Sequence, residues 1–179
     1  MADRYIAFLR GINVGGHRVK MEQLRTVFTE LGLTNVRSYI NSGNLFFDTN
    51  EKDRQGLTER IERHLHGTLG YEVPVFLRTV AELKAILAQN PFKEIKQTEE
   101  QRYCVIFTAV PLNKGLLLPI HSTTNDMDLI AVNKYEAFVV WHLVNGRPPS
   151  GTFPANTLPA RSTSRFFHTL EKILRAAQE

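Results

Sequence analysis

The 179-residue chain carries 22 Lys and Arg against 18 Asp and Glu, a formal net charge of +4, and 42% of its residues are hydrophobic. That composition excludes disorder, and the mild basic excess permits an anionic partner without requiring nucleic acid. A single cysteine excludes an intrachain disulfide and a thiolate metal cluster.

No segment approaches the roughly 18 apolar residues of a membrane span, and Met1-Ala2-Asp3-Arg4 does not open a leader sequence. The expectation is therefore a cytoplasmic protein in a reducing compartment, without a membrane partner. Residues 4–14 form a near-continuous apolar run closed by glycines, the pattern of a strand buried on both faces. Met21, Leu24, Val27, Phe28 and Leu31 then recur at helical spacing, with Gly32 as a left-handed stop. Residues 35–40 and 45–49 read as two strands of a hairpin around Asn41-Ser42-Gly43-Asn44, where glycine and asparagine tolerate positive φ. Asn50 is placed to cap a second helix whose apolar line is Leu57, Ile61 and Leu65, and a strand follows over 71–78. Thr79 and Glu82 form a capping box for a connecting helix that runs through Gln89 and stops at Asn90-Pro91.

After a polar stretch at 93–101, strands are predicted over 102–110, 128–132 and 137–143, with a short helical or irregular piece near 112–118. Cys104 falls in the first of these and is expected to be buried. The Pro/Gly-rich segment 146–159 leads to a last helix from about Ser164, with Phe167, Leu170, Ile173 and Leu174 on its buried side. The whole reads as an α+β fold: a ferredoxin-like βαββαβ unit with its connecting helix over residues 1–90, a linker at 91–101, and a second, related βαββα unit over 102–179.

The run Phe8-Leu9-Arg10-Gly11-Ile12-Asn13-Val14-Gly15-Gly16, with Lys20-Met21, Leu24-Arg25 and Tyr39-Ile40-Asn41-Ser42-Gly43-Asn44, resembles the bacterial domain-of-unknown-function family 1697. The likeness is dense over residues 4–47 and looser beyond. Thr163-Ser164-Arg165 is similar to the family's Thr-Thr-Arg-Asn-Trp element, with Phe166-Phe167 standing where Asn-Trp would be. The resemblance implies a fold and a cellular setting; it brings no activity.

Chemistry has to come from the residues. A glycine-containing loop between a buried strand and a helix can aim backbone N–H groups at an anion, and Arg10, Arg18, Lys20 and Arg25 add positive charge there. Arg10, Gly11, Asn13, Gly15, Gly16, Lys20 and Arg25, joined by Asn41, Ser42 and Asn44 of the hairpin turn, form the candidate ligand site. It matches neither the dinucleotide fingerprint nor the P-loop, whose GK[ST] ending is missing. The same glycines equally suit a bare strand-to-helix connection, and the turn residues equally suit a hairpin. Arg161, Ser164 and Arg165 are a second anion candidate near the start of the last helix. The six histidines show no metal-ligand spacing, so no metal is expected, and no cofactor motif occurs.

Three functions fit. One is binding of a phosphate-bearing small molecule or nucleic acid at the first strand-helix loop. Another is acylphosphatase-like phosphoryl hydrolysis, with Arg10 or Lys20 stabilising charge and Asn13 positioning water. The third is an interaction module, with a homo-oligomer among its forms, in which the loop is structural.

Overall fold

A computed structural model describes residues 1–179, and no helix in it is long and apolar enough to cross a membrane. It is a mixed α+β chain with two antiparallel sheets and four helices, divided into two compact units: Met1–Ala85 with Lys172–Glu179, and Ile86–Glu171.

The first unit contains β1 (Asp3–Leu9), α1 (Met21–Glu30), β2 (Thr34–Ser38), β3 (Asn44–Thr49), α2 (Arg54–Leu69) and β4 (Val75–Thr79), with strand order β2-β3-β1-β4. Side chains alternate across a strand, so Tyr5, Ala7 and Leu9 point to one face together with Leu45, Phe47, Val75 and Leu77. There they meet Leu24, Val27 and Phe28 of α1 and Leu57, Ile61 and Leu65 of α2. The alternate residues Ile6, Phe8, Phe46 and Phe76 are buried as well, as the unbroken apolar run of β1 requires. The C-terminal segment is tied to this unit through its carbonyls: Arg4 Nε donates to Ala177 O at 2.9 Å and Arg37 Nη2 to Ala176 O at 3.0 Å.

α2 starts three residues later than an Asn50 cap would allow. Glu51 Oε1 accepts from the amides of Lys52 (3.0 Å) and Asp53 (3.1 Å), which holds that stretch out of the helix, and Asp53 Oδ1 caps by accepting from Gly56 N at 3.0 Å. The strand expected from residue 71 begins at Val75 instead.

Thr79 ends β4 and caps α3 (Val80–Gln89) in the predicted capping box. Glu82 N donates to Thr79 Oγ1 at 3.1 Å, and Thr79 N donates back to Glu82 Oε2 at 2.8 Å. Thr79→Ala should lower stability by ~1 kcal/mol, read as a shifted urea midpoint at constant slope; an unmoved midpoint would deny the box any energetic role.

The second unit is built on β5 (Gln101–Thr108), β6 (Ile120–His121), β7 (Met127–Val132), β8 (Glu136–His142) and β9 (Ser162–Phe166), in the order β6-β7-β8-β5-β9. α4 (Phe167–Gln178) follows directly. Residues 109–119 form no helix, so the element order differs from the expected βαββα. The helix expected from Ser164 starts at Phe167, because Ser162 to Phe166 pair with Thr108 to Cys104 and extend the sheet. Pairing with a neighbouring strand overrides the local helical pattern. Cys104, Leu112, Leu129, Ala137 and Val139 form the core on one face. On the other, Phe92 stacks on Tyr103 at 4.5 Å and meets Phe138 and Phe167 edge-on.

Candidate functional site

The loop between β1 and α1 folds around one side chain. Asn13 sits in the left-handed region (φ 56°); its Oδ1 accepts from Val19 N at 2.8 Å, and its Nδ2 donates to Asn41 O at 2.9 Å. One amide thereby joins the two ends of the loop and binds it to the β2–β3 turn. Val19 is flanked by Arg18 and Lys20, and Asn41 by Ile40 and Ser42, so the clasp gathers these residues at one end of the first unit. Leu9 N donates to Gly43 O at 2.8 Å and Arg10 N to Pro74 O at 3.0 Å, which fixes where the loop leaves the sheet. On its far side the His17 ring lies 4.0 Å from that of Tyr71. The Tyr71 hydroxyl is buried without a hydrogen-bond partner, and burial pushes its pKa up.

Electrostatically the loop is one-signed: residues 10–20 contain Arg10, Arg18 and Lys20, all exposed, and no Asp or Glu. α1 opens at Lys20 with no side-chain cap, whereas α2 and the box of α3 both have one. The cap side chain therefore supplies no acceptor to its first-turn amides. Glu22 adds one negative charge in that turn.

Of the residues proposed from sequence, Arg10, Gly11, Asn13, Gly15, Gly16, Lys20, Asn41 and Ser42 belong to this end of the unit. Asn44 is fully buried, its Nδ2 donating to Tyr39 O (3.3 Å) and Ser42 Oγ (2.9 Å), so it holds the turn and presents no group to solvent. Arg25 is engaged at the end of β2, Nη1 donating to Ser38 Oγ at 2.6 Å. In the second unit Arg161 is exposed, Ser164 and Arg165 alternate on β9, and Arg165 Nη1 donates to Thr163 Oγ1 (3.1 Å) and Ser164 O (2.8 Å). Burial pulls the Arg165 guanidinium down to about 10, still protonated at neutral pH. Alternation on a strand sends the Ser164 and Arg165 side chains to opposite faces, so these three do not converge on one anion.

Sequence reasoning passed over Ile40 and Val14. Ile40 is a β-branched residue at φ 51° and remains 48% exposed; Val14 is 58% exposed. A left-handed β-branched residue is a strained outlier, held here by the Asn13–Asn41 clasp beside it. Ile40→Asn should stabilise the protein by ~1 kcal/mol, since asparagine tolerates this conformation and little burial is lost. A fall in thermal midpoint for that variant would refute the strain.

Also missed was a cluster on the second sheet. His121 Nδ1 lies 2.6 Å from Asp128 Oδ1 and His142 Nε2 lies 2.7 Å from Asp128 Oδ2. Burial would raise the Asp128 pKa, but bonds to His142 and His121 outweigh it and hold the carboxyl low. Pairing of β6, β7 and β8 brings these residues together across strands, which spacing rules do not register. They do not assemble a metal-binding group.

Residues 2–138 match the model of the family described as "Protein of unknown function (DUF1697)". No curated protein matches the chain. Among solved structures it is similar to the conserved bacterial protein SP0830 from Streptococcus pneumoniae, at 25% identity and a TM-score of 0.71, over 100% of each chain. The family match takes in the whole β1–α1 loop and the β2–β3 turn and ends before β9.

Proposed function

This chain belongs to the family of proteins of unknown function DUF1697, and from that premise we propose that it binds a phosphate-bearing small molecule at the β1–α1 loop. One observation carries the reading: an exposed loop with three cations and no carboxylate leads into a helix start that no side chain caps. The element order βαββαβ and the strand order β2-β3-β1-β4 support describing the first unit as ferredoxin-like. A buried free Cys104 supports a reducing, cytoplasmic setting. Binding is favoured over phosphoryl hydrolysis because the Asn13 amide holds the loop through both Nδ2 and Oδ1, a structural role for the one residue that hydrolysis would need to position water.

Titrating inorganic phosphate, AMP and a short single-stranded oligonucleotide against the amide NMR spectrum tests this. Shifts should concentrate at residues 11–22, weaken with salt, and require about tenfold more ligand in Lys20→Ala, the loss expected for one charge-assisted contact. Silence of those amides at millimolar ligand, or wild-type affinity in the variant, would sink the proposal.

A second reading is favoured by exposed Val14 and Ile40: the same end of the unit would then be an association surface. Concentration-dependent sedimentation that Val14→Ser abolishes would support it.

A further inference from the structure

The second unit offers a different kind of site. Cys104, Ile106, Met127 and Trp141 occupy one face of its sheet, and residues 151–158 cross that face as a strap bearing Phe153 and Leu158. Sheet and strap enclose an open cavity of about 360 Å³. The strap is firmly anchored. Asp126 Oδ2 accepts from Ser150 N (2.7 Å) and Gly151 N (3.1 Å), and Thr123 N donates to Thr152 O at 2.8 Å. The cavity therefore has two fixed walls.

We propose that this cavity is a binding site for a small neutral aromatic molecule bearing one hydroxyl or amide group. Size sets the first limit: an apolar cavity of ~150 Å³ takes a benzene ring, so this one has room for a ring with a substituent. The lining sets the second. Trp141 and Phe153 supply ring faces and edges, and the Met127 thioether favours an aromatic neighbour. No charged side chain lines it, so a carboxylate or phosphate would lose its hydration there without a partner. Thr152, Asn156 and Ser164 stand exposed at the mouth, where one polar substituent would find its hydrogen bond. The Cys104 thiol forms part of the wall; burial pushes its pKa up to about 12, so it contributes packing and no nucleophile.

Trp141 is the only tryptophan in the chain, which makes the cavity directly readable. The probe is 4-bromobenzyl alcohol, whose bromine quenches indole fluorescence on contact, with benzyl alcohol as a competitor that does not. Quenching should saturate at low millimolar probe or below and be reversed by benzyl alcohol. Ser164→Phe, a change at an exposed strand position that fills the mouth, should weaken it at least about tenfold in a variant that denaturation shows to remain folded. Quenching that rises linearly without saturation and ignores the competitor would overturn the proposal, as would unaltered affinity in the variant. Should Ser164→Phe not fold, wild-type NMR with benzyl alcohol decides: shifts confined to methyls that line the cavity, those of Ile106, Met127, Thr152, Ala155 and Leu158, support the site, and shifts elsewhere overturn it.

Discussion

Gly43→Ala is expected to lower the stability of the protein by roughly 2–4 kcal/mol, among the largest effects of any single methyl group added to the chain. Two costs add. Gly43 has φ 76°, where a Cβ costs ~1–2 kcal/mol. A Cβ at that position would also stand 3.1 Å from Leu9 Cβ, Ile12 Cβ and Leu9 O, and the last of these is backbone already fixed by the Leu9–Gly43 hydrogen bond. No flexible side-chain end is available to yield. Urea denaturation gives the number; a loss below ~1 kcal/mol would mean that the turn repacks freely, contrary to the close approach described here. Because the turn also carries Asn41, the variant should loosen the Asn13 clasp and broaden the amide signals of residues 11–20.

The contrast between what could and could not be read in advance follows the range of the interactions. The core of the first unit was legible because it depends on periodicity: Leu24, Val27 and Phe28, then Leu57, Ile61 and Leu65, declare their faces within one helix. The Thr79–Glu82 box was legible for the same reason, since both partners lie within one turn. β9 was not, because Ser162-Thr163-Ser164-Arg165-Phe166 becomes a strand only by pairing with β5, more than fifty residues away in the chain. At the candidate site, the glycines and asparagines announced an unusual backbone, but not that Asn13 would spend its side chain on Val19 and Asn41. The strain at Ile40 has no local signature at all, since isoleucine is a poor choice for that conformation and only the surrounding clasp imposes it.

Gly151→Ala should cost roughly 2–3 kcal/mol by a mechanism different from that at Gly43, because the limit at Gly151 is space. An added Cβ would overlap Thr124 Oγ1 and lie 2.6 Å from Asp126 Oδ1 and 3.0 Å from Ser122 Oγ. Those oxygens cannot simply swing aside. Ser122 Oγ donates to Asp126 Oδ1 at 2.7 Å and accepts from the amides of Asp126 and Met127, while Asp126 Oδ2 holds the strap. Making room means releasing the strap, and Trp141 beneath it should report the change as a red-shifted emission before global unfolding. Acid should produce the same release. Bonds from Thr124 and Ser122, then from the amides of Ser150 and Gly151, hold the Asp126 carboxyl well below the ordinary carboxylate range. A depressed folded pKa contributes stability in full above the unfolded value of about 3.9, and that contribution is lost as pH falls through the lower folded value. Wild-type emission should therefore hold constant from neutrality to below pH 4 and shift only in stronger acid. In Asp126→Asn the strap-dependent part of that acid transition should vanish, and a red shift near pH 5 in the wild type would contradict the anchor assigned to Asp126.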